Sequence, residues 1–338
     1  MRTSQDKMLD FLGQEGVRFT VPHYQRPYAW TETQCEELMW DILRAGRAGT
    51  SHFMSMVLFL ESPAGAEGGV RELDVIDGQQ RIASATLLLA ALETALRTSG
   101  KEVGGLDADA VRRRFLLADD GACKVRLQGL DQRTLDALVL GAESPERPSA
   151  RIVDNHRYFA SRLAEEGFDF DLFWRGLNRL FLIDVELDDG DKAQHIFEGV
   201  NTKGMPLATA DLVRNYLLVG ETREEQERLY REYWNPIELM FGNDPGCLKL
   251  NAGIRMWLSI RFRRIRIRDK SQTYNVFKAY MTEEYEGTTE ELLEELRGFC
   301  LMWSENYKFN EVKEFRSMDW VKGKTKTLLP GWGHLSGF

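Results

Sequence analysis

Hydrophobic and polar positions along the chain predict a first part that mixes strands and helices and a last part made mainly of helices. Apolar runs of strand length occupy residues 17–21, 52–60, 72–76 and 179–187. Apolar residues spaced three or four apart predict helices over residues 4–16, 31–43, 79–97, 151–165, 192–200 and from 209 onward. Three tryptophans are expected core anchors of the last third: Trp234, Trp257 and Trp303. The pattern predicts an α+β fold with a first domain over residues 1–220 and a helical domain over 221–338.

Composition narrows the class of protein. With 338 residues, 43% of them hydrophobic, the chain is long enough to bury a substantial core. It has neither an apolar run of about 20 residues nor an apolar stretch close to its N-terminus, so we expect no membrane span, no secretory signal and a cytoplasmic location. Its four cysteines stand far apart, which predicts neither a zinc site nor a disulfide framework. The net charge of −9 argues against a surface coated in basic residues.

A proline-stiffened loop after the first predicted strand carries aromatic and polar residues. Aromatic faces beside an arginine suit stacking or cation–π contacts with nucleotides. We therefore expect Tyr24, Gln25 and Arg26 to be functional. Tyr28 has the same chemistry but can equally anchor the loop in the core, which is the interpretation that we favour for Trp30.

A strand, a glycine turn and a long helix meet at Asp77-Gly78-Gln79-Gln80-Arg81. Gly78 permits a turn that a Cβ atom would obstruct, and the N–H groups of the following helix start favour an anion. Arg81 can direct two donors at a phosphate, and Asp77 can hold a metal ion or orient a water. Gln79 and Gln80 can contact a sugar or a base. A purely structural interpretation remains open, in which Asp77 caps the helix and Arg81 pairs with a carboxylate.

A second polar loop follows the helix predicted to end near residue 200. It contains Asn201, Lys203 and Gly204, and the next helix carries Asp211 and Arg214. Lys203 and Arg214 would add positive charge to a phosphate site if this loop folds toward the glycine turn. Helix caps at Asn201 and Asp211 are equally reasonable structural roles.

A concentration of basic residues stands out in the last third of this acidic chain. Its members are Arg255, Arg261, Arg263, Arg264, Arg266, Arg268 and Lys270. Such a group can line a path for DNA and contact its phosphates. The alternative is a half-buried element whose charged face is only solvated.

Three segments, in this order, resemble the N-terminal domain of the GmrSD-type restriction family, which includes the phosphorothioate-sensing SspE proteins. They are VPHYQRPYAWTETQCEELMWDI (21–42), LDVIDGQQRIASATLLLAAL (73–92) and HIFEGVNTKGMPLATADLVRNYLL (195–218). The resemblance implies a ParB/sulfiredoxin-like core that binds and hydrolyses a nucleoside triphosphate with Mg²⁺, GTP being the expected nucleotide. It also implies phage defence, in which the domain senses modified double-stranded DNA and controls an HNH nuclease carried C-terminally.

The resemblance also assigns roles to positions. The nucleotide motif implies catalysis by Asp77, Gln79, Gln80 and Arg81, with Mg²⁺ on Asp77. With the loop around 201–204, it implies nucleotide binding by Gly78, Arg81, Asn201, Lys203, Gly204 and Arg214. The N-terminal block lies near the modification sensor in SspE-like members. Together with the basic segment, this predicts DNA contacts from Tyr24, Gln25, Arg26, Tyr28, Arg261, Arg263, Arg264, Arg266 and Arg268.

Two features depart from the family pattern. Family members often carry glycine in the strand where this chain has Ser55, and we find no His/Asn/His nuclease pattern around His334 or elsewhere. We therefore expect nucleotide hydrolysis and sensing of modified DNA, with phosphorothioate as the first candidate, and no DNA cleavage by these residues. A non-enzymatic DNA-binding module and a nucleotide-binding regulator with its arginines in ion pairs remain alternatives. Recognition of glucosylated or methylated bases and formation of a homo-oligomer also stay open.

Overall fold

A computed structural model of the chain describes residues 1–62, 69–187, 207–242 and 245–310. The chain divides into two units, Met1–Gly204 and Met205–Phe338. The division lies before the boundary expected at residue 220, because helix Thr209–Leu218 is bonded within the second unit. There the backbone N–H of Ala210 donates to Asn251 Oδ1 at 2.8 Å.

The first unit contains a six-stranded sheet and seven helices among its described residues. The strands are β1 (Arg2–Lys7), β2 (Val17–Thr20), β3 (His52–Glu61), β4 (Arg71–Asp77), β5 (Val125–Arg126) and β6 (Leu180–Leu187). The helices are α1 (Met8–Leu12), α2 (Glu32–Ala48), α3 (Gln79–Ser99), α4 (Ala108–Val111), α5 (Gly129–Leu140), α6 (Ala150–Leu163) and α7 (Phe170–Leu177). A π-helical turn, Arg112–Leu116, continues α4.

The strands lie in the order β1–β6–β3–β4–β2–β5. The β1–β6 and β3–β4 pairs are antiparallel, and the other three neighbouring pairs are parallel. Every residue of α3 from Ile82 to Glu93 is buried, and α3 packs against α6. A helix that is buried on all sides lies in the middle of a core. The first turn of α3, and with it the junction of β4 with α3, is therefore fixed by the packing of this helix. The mixed sheet with its helices confirms the predicted α+β fold.

The start of the chain differs from the prediction. Residues 4–16 are not one helix: β1 occupies the first positions and α1 is a single short helix after it. β1 is polar and mostly exposed, and it adds to the sheet edge by pairing antiparallel with β6, for instance Thr3 opposite Val185. The prediction failed because this pairing joins residues about 180 positions apart, and local periodicity carries no signal of it.

The described part of the second unit is helical. Its helices are α8 (Thr209–Leu218), α9 (Arg223–Leu229), α10 (Asn235–Phe241), α11 (Leu248–Arg261), α12 (Thr273–Glu283) and α13 (Thr289–Asn310). A π-helical turn, Tyr230–Trp234, links α9 to α10, and short 3-10 turns precede α11 and α12. Trp234, Trp257 and Trp303 are buried, as predicted. No helix in the described part of either unit has the length and apolar character to cross a membrane.

Candidate functional site at the junction of β4 and α3

The candidate site lies where β4 turns into α3. Asp77 ends the strand, Gly78 makes the turn with a φ of +96°, and Gln79 begins the helix. A Cβ atom on Gly78 would lie 2.9 Å from Val57 Cγ2 and 3.2 Å from the carbonyl oxygen of Met56 on β3. Both the left-handed backbone and this close approach require glycine. The predicted strand, glycine turn and helix are therefore confirmed.

Asp77, Arg81 and Arg26 form the charged part of this junction. Burial raises the pKa of the Asp77 carboxyl group, whereas the Gly78 N–H and the two nearby guanidinium groups act to lower that pKa. The Arg81 side chain is partly buried, and its guanidinium makes no hydrogen bond or ion pair with any residue that the structure describes. Two cations and one carboxyl group thus lie at the N-terminus of a 21-residue helix, an arrangement that suits an anionic ligand.

Gln79 and Gln25 form a bonded pair beside the turn. Gln79 Nε2 donates to Gln25 Oε1 at 3.0 Å, and Gln25 Nε2 donates to the Ile76 carbonyl oxygen at 2.7 Å. That oxygen is available to a side chain because the pairing of β3 with β4 shifts register between Leu58 and Phe59, opposite Ile76. Gln25 is only 1% exposed, so this pair lies inside the protein.

Gln80 is hydrogen-bonded to the same loop, the one that contains Gln25, but at residues that follow Arg26. Its Oε1 accepts the backbone N–H of Ala29 at 2.7 Å, and its Nε2 donates to the Pro27 carbonyl oxygen at 3.1 Å. Both amides are buried and hold the loop, so the structure gives Gln79 and Gln80 a structural role that the sequence did not predict. A catalytic role for them stays a prediction.

Tyr24 and Tyr28 point into the core. The Tyr28 hydroxyl bonds to Ser84 Oγ at 2.6 Å and accepts from Asn155 Nδ2 at 2.8 Å. Only 5% of Tyr24 and 6% of Tyr28 are exposed, so neither ring offers a face for stacking. This corrects the prediction that Tyr24, Gln25 and Tyr28 contact DNA. For Tyr28 the structure has the anchoring role that the sequence left open.

Three buried side chains that sequence reasoning missed complete this network: Gln128, Asp131 and Asn155. Asp131 Oδ2 accepts the backbone N–H of Tyr28 at 2.8 Å, and Gln128 Nε2 donates to the Val21 carbonyl oxygen at 3.3 Å. Asp131 and Asn155 lie 103 and 127 residues along the chain from Tyr28, so no local pattern connects them with the loop. A cavity with room for about one water molecule is lined by Arg26, Gln79, Gln80, Gln128 and Asp131, among other residues.

The residues expected to bring further charge or backbone contacts to the phosphates fall into two groups. Three lie outside the described residues: Asn201, Lys203 and Gly204. Arg214 is fully buried in the second unit, where its guanidinium bonds to Asp211 Oδ1 at 2.9 Å and to Glu238. The prediction that Arg214 binds nucleotide is corrected, because its charge is desolvated and already paired with two carboxylates.

The arginine-rich segment forms an irregular loop after α11. The helix ends at Arg261, whose guanidinium bonds to Glu295 on α13, and the next residue, Phe262, is fully buried. Four arginines of the loop are exposed and form no ion pair with the described residues: Arg263, Arg264, Arg266 and Arg268. Burial of these four in ion pairs is thereby excluded, whereas their contact with DNA stays a prediction.

Asp77 is the one carboxyl group that the sequence proposes as a metal ligand. Across the described ranges, no group of three or more His, Cys, Asp or Glu side chains could hold a metal ion. Mg²⁺ in nucleotide sites is commonly held by one or two carboxylates, with phosphates and water as the remaining ligands. Asp77 beside two arginines therefore suits a Mg²⁺ that arrives with a nucleotide better than a free ion.

One comparison with known proteins bears on this site. The family model described as GmrSD restriction endonuclease, N-terminal domain, matches residues 8–218 of the chain. The matched range runs from α1 to the end of α8 and includes the whole β4–α3 junction. No curated protein matches the chain.

Proposed function

We propose a function from one premise, that the chain belongs to the family of the GmrSD restriction endonuclease N-terminal domain. Its role therefore lies in a restriction system. Within that role, the β4–α3 junction binds and hydrolyses a nucleoside triphosphate, and the second unit contacts DNA. The observation that carries the nucleotide site is Arg81, a partly buried guanidinium without a hydrogen bond among the described residues, next to a helix start that requires glycine.

The proposed position of the phosphates is the N-terminus of α3. The first N–H groups of a helix lack intrahelical acceptors and carry the positive end of the helix dipole. Arg81 adds a charged donor to the same anion, and Asp77 orients the attacking water or binds the Mg²⁺ of the nucleotide. Stabilisation of the charge on the transferring phosphoryl group supplies most of the rate acceleration. GTP is the nucleotide that the family resemblance favours.

The proposed DNA contact is the exposed loop from Arg263 to Arg268. Its four exposed guanidinium groups form no ion pair with the described residues and suit the phosphates of a duplex, and their contribution should fall steeply with salt. Phosphorothioate is the modification that we propose first, because sulfur makes the backbone less strongly hydrated and so cheaper to desolvate. DNA cleavage is assigned to an HNH nuclease domain and not to the described residues.

Turnover assays test this proposal. Hydrolysis of GTP and ATP is measured for the wild type, Arg81→Ala and Arg47→Ala, with phosphorothioate, glucosylated, methylated or unmodified duplexes. Arg47 is an exposed arginine on α2 and serves as the matched control. We expect Arg81→Ala to lower turnover about 100-fold and Arg47→Ala to leave it unchanged. Equal turnover in Arg81→Ala and the wild type would reject the assigned site.

A second candidate function is a DNA-binding module without hydrolysis, in which the junction grips a DNA phosphate. The observation that favours it is that Gln79 and Gln80 are hydrogen-bonded inside the protein, which gives both glutamines of the motif a structural role. This candidate predicts salt-dependent binding of duplex DNA together with no turnover of any nucleotide.

A further inference from the structure

We infer that Arg26 is the second anion-binding residue of the β4–α3 site, beside Arg81, and that Gln79 and Gln80 are positioning residues that hold Arg26 there. The inference deepens the proposed nucleotide site and rests on it. It moves Arg26 from the DNA-sensing role expected for it to the phosphate site. It also explains why the two glutamines of the motif point inward.

The hydrogen bonds of Gln79 and Gln80 hold the two residues that flank Arg26 in the chain. Gln79 holds Gln25, the residue before Arg26, and Gln80 holds the carbonyl oxygen of Pro27, the residue after it. Gln25 in turn donates to the carbonyl of Ile76, one residue before Asp77. The backbone of Arg26 is thus tied at both ends to the segment that forms the glycine turn.

The charge of Arg26 reaches the same carboxyl group as that of Arg81. Both guanidinium groups lie close enough to Asp77 to act electrostatically on its carboxyl group. Arg26 also lines the small cavity next to Gln79 and Gln80. Two arginines can together contact more phosphate oxygens than one, and each can supply a charge-assisted pair of hydrogen bonds.

The surroundings of the loop make this placement rigid. Pro27 restricts the backbone immediately after Arg26, and the backbone N–H of Tyr28 is bonded to Asp131. Pre-ordering a cation reduces the entropy lost when an anion binds. The amides are suited to this task because a neutral group is cheaper to bury than a charged one once it is hydrogen-bonded.

The test uses tripolyphosphate as a probe in calorimetric titrations of the full chain. We expect Arg26→Ala to weaken binding about 10-fold or more, and Arg26→Lys to recover part of the loss. Arg47→Ala is the exposed control and should bind as the wild type does. Unchanged tripolyphosphate affinity in Arg26→Ala, with weakened binding of duplex DNA, would overturn the inference in favour of a DNA contact.

A double-mutant cycle tests the positioning role. If Gln80 acts only by holding Arg26, Gln80→Ala weakens tripolyphosphate binding in the wild type but adds little in the Arg26→Ala background. Additive losses would mean that Gln80 acts on the ligand itself and would overturn the assignment. Unfolding midpoints identify variants that fail to fold. If Gln80→Ala does so, Gln79→Ala replaces it in the cycle.

The outcomes separate this inference from the proposed hydrolase. Tripolyphosphate binding that depends on Arg26, without turnover of any nucleotide, keeps the inference and rejects hydrolysis. Turnover that depends on Arg81 but not on Arg26 keeps the proposed function and rejects the inference. A wild-type protein that binds no tripolyphosphate rejects both.

Discussion

The β4–α3 junction and the arginine loop after α11 are both polar segments, but they differ in the burial of their polar side chains. At the junction, Gln25, Gln79 and Gln80 are buried and hydrogen-bonded to one another or to backbone. In the loop, Arg263 to Arg268 contribute four exposed guanidinium groups without ion pairs among the described residues. One segment uses its polar groups to build the interior, and the other presents them to solvent.

The difference follows from the cost of desolvation. A neutral amide can be buried at little net cost once its hydrogen bonds are made, whereas a guanidinium needs carboxylate partners to leave water. Arg214 is a fully buried guanidinium, and it is buried together with the carboxylates of Asp211 and Glu238, with which it forms ion pairs. Polar composition therefore does not identify a binding surface by itself. An accessible charged group that forms no ion pair is the better indicator of a binding surface.

The largest effect on stability is expected at the buried arginine. Arg214→Met leaves the Asp211 and Glu238 carboxylates without their cation, and should lower the free energy of unfolding by about 3–5 kcal/mol. Arg264→Met removes an exposed guanidinium and should change it by no more than about 0.5 kcal/mol. Urea unfolding monitored by tryptophan fluorescence measures both. Similar values for the two variants would contradict the difference in stability expected between buried and exposed arginines.

A smaller loss is expected from filling the turn of the motif. Gly78→Ala combines a left-handed backbone with a Cβ atom 2.9 Å from Val57 Cγ2, and should cost about 2–4 kcal/mol. Gly100→Ala is the control, since Gly100 has a φ of +67° but no atom within 4 Å of the added Cβ. It should cost only the backbone part, about 1–2 kcal/mol. Thermal unfolding that finds equal losses would show that the approach of β3 to the turn is unimportant.

The hydroxyl that anchors the loop should have an intermediate effect. Tyr28→Phe removes the partner of Ser84 Oγ and Asn155 Nδ2 in the core, at a cost of about 1–3 kcal/mol. Tyr158→Phe on α6 is matched to it, because the Tyr158 hydroxyl makes no hydrogen bond within the described ranges. Denaturant midpoints should therefore fall for the first variant only. If Tyr28→Phe is as stable as the wild type, the loop is held by its backbone contacts alone.

The smallest change in stability, and the largest in DNA affinity, is expected in the loop. Each of the variants Arg263→Ala, Arg264→Ala and Arg266→Ala should reduce the slope of log K against log salt concentration by about 1. Fluorescence anisotropy with a labelled duplex measures it. Arg231→Ala, an exposed arginine that pairs with Glu232, provides the control. A salt slope that no loop variant alters would remove the DNA interface from the loop.

Much of the fold could be predicted because its signals are local. β2, β3, β4 and β6 follow apolar runs, and α3 follows the apolar spacing from Gln79 onward almost residue for residue. β1 escaped prediction because an exposed edge strand has no apolar pattern and depends on its partner β6. The turn at Gly78 was predictable because the need for glycine is a property of the backbone at that one position.

The sequence by itself determined the strand, glycine turn and helix, the concentration of arginines after residue 260, and the family to which the chain belongs. Only the tertiary structure decided which polar groups remain available to a ligand. Gln79 and Gln80 find partners 51 to 54 residues away, and Arg214 finds Glu238 on another helix. The physical reason is that the burial and pairing of a polar group are set by residues distant in the chain. A motif can therefore specify its own backbone but not the neighbours of its side chains.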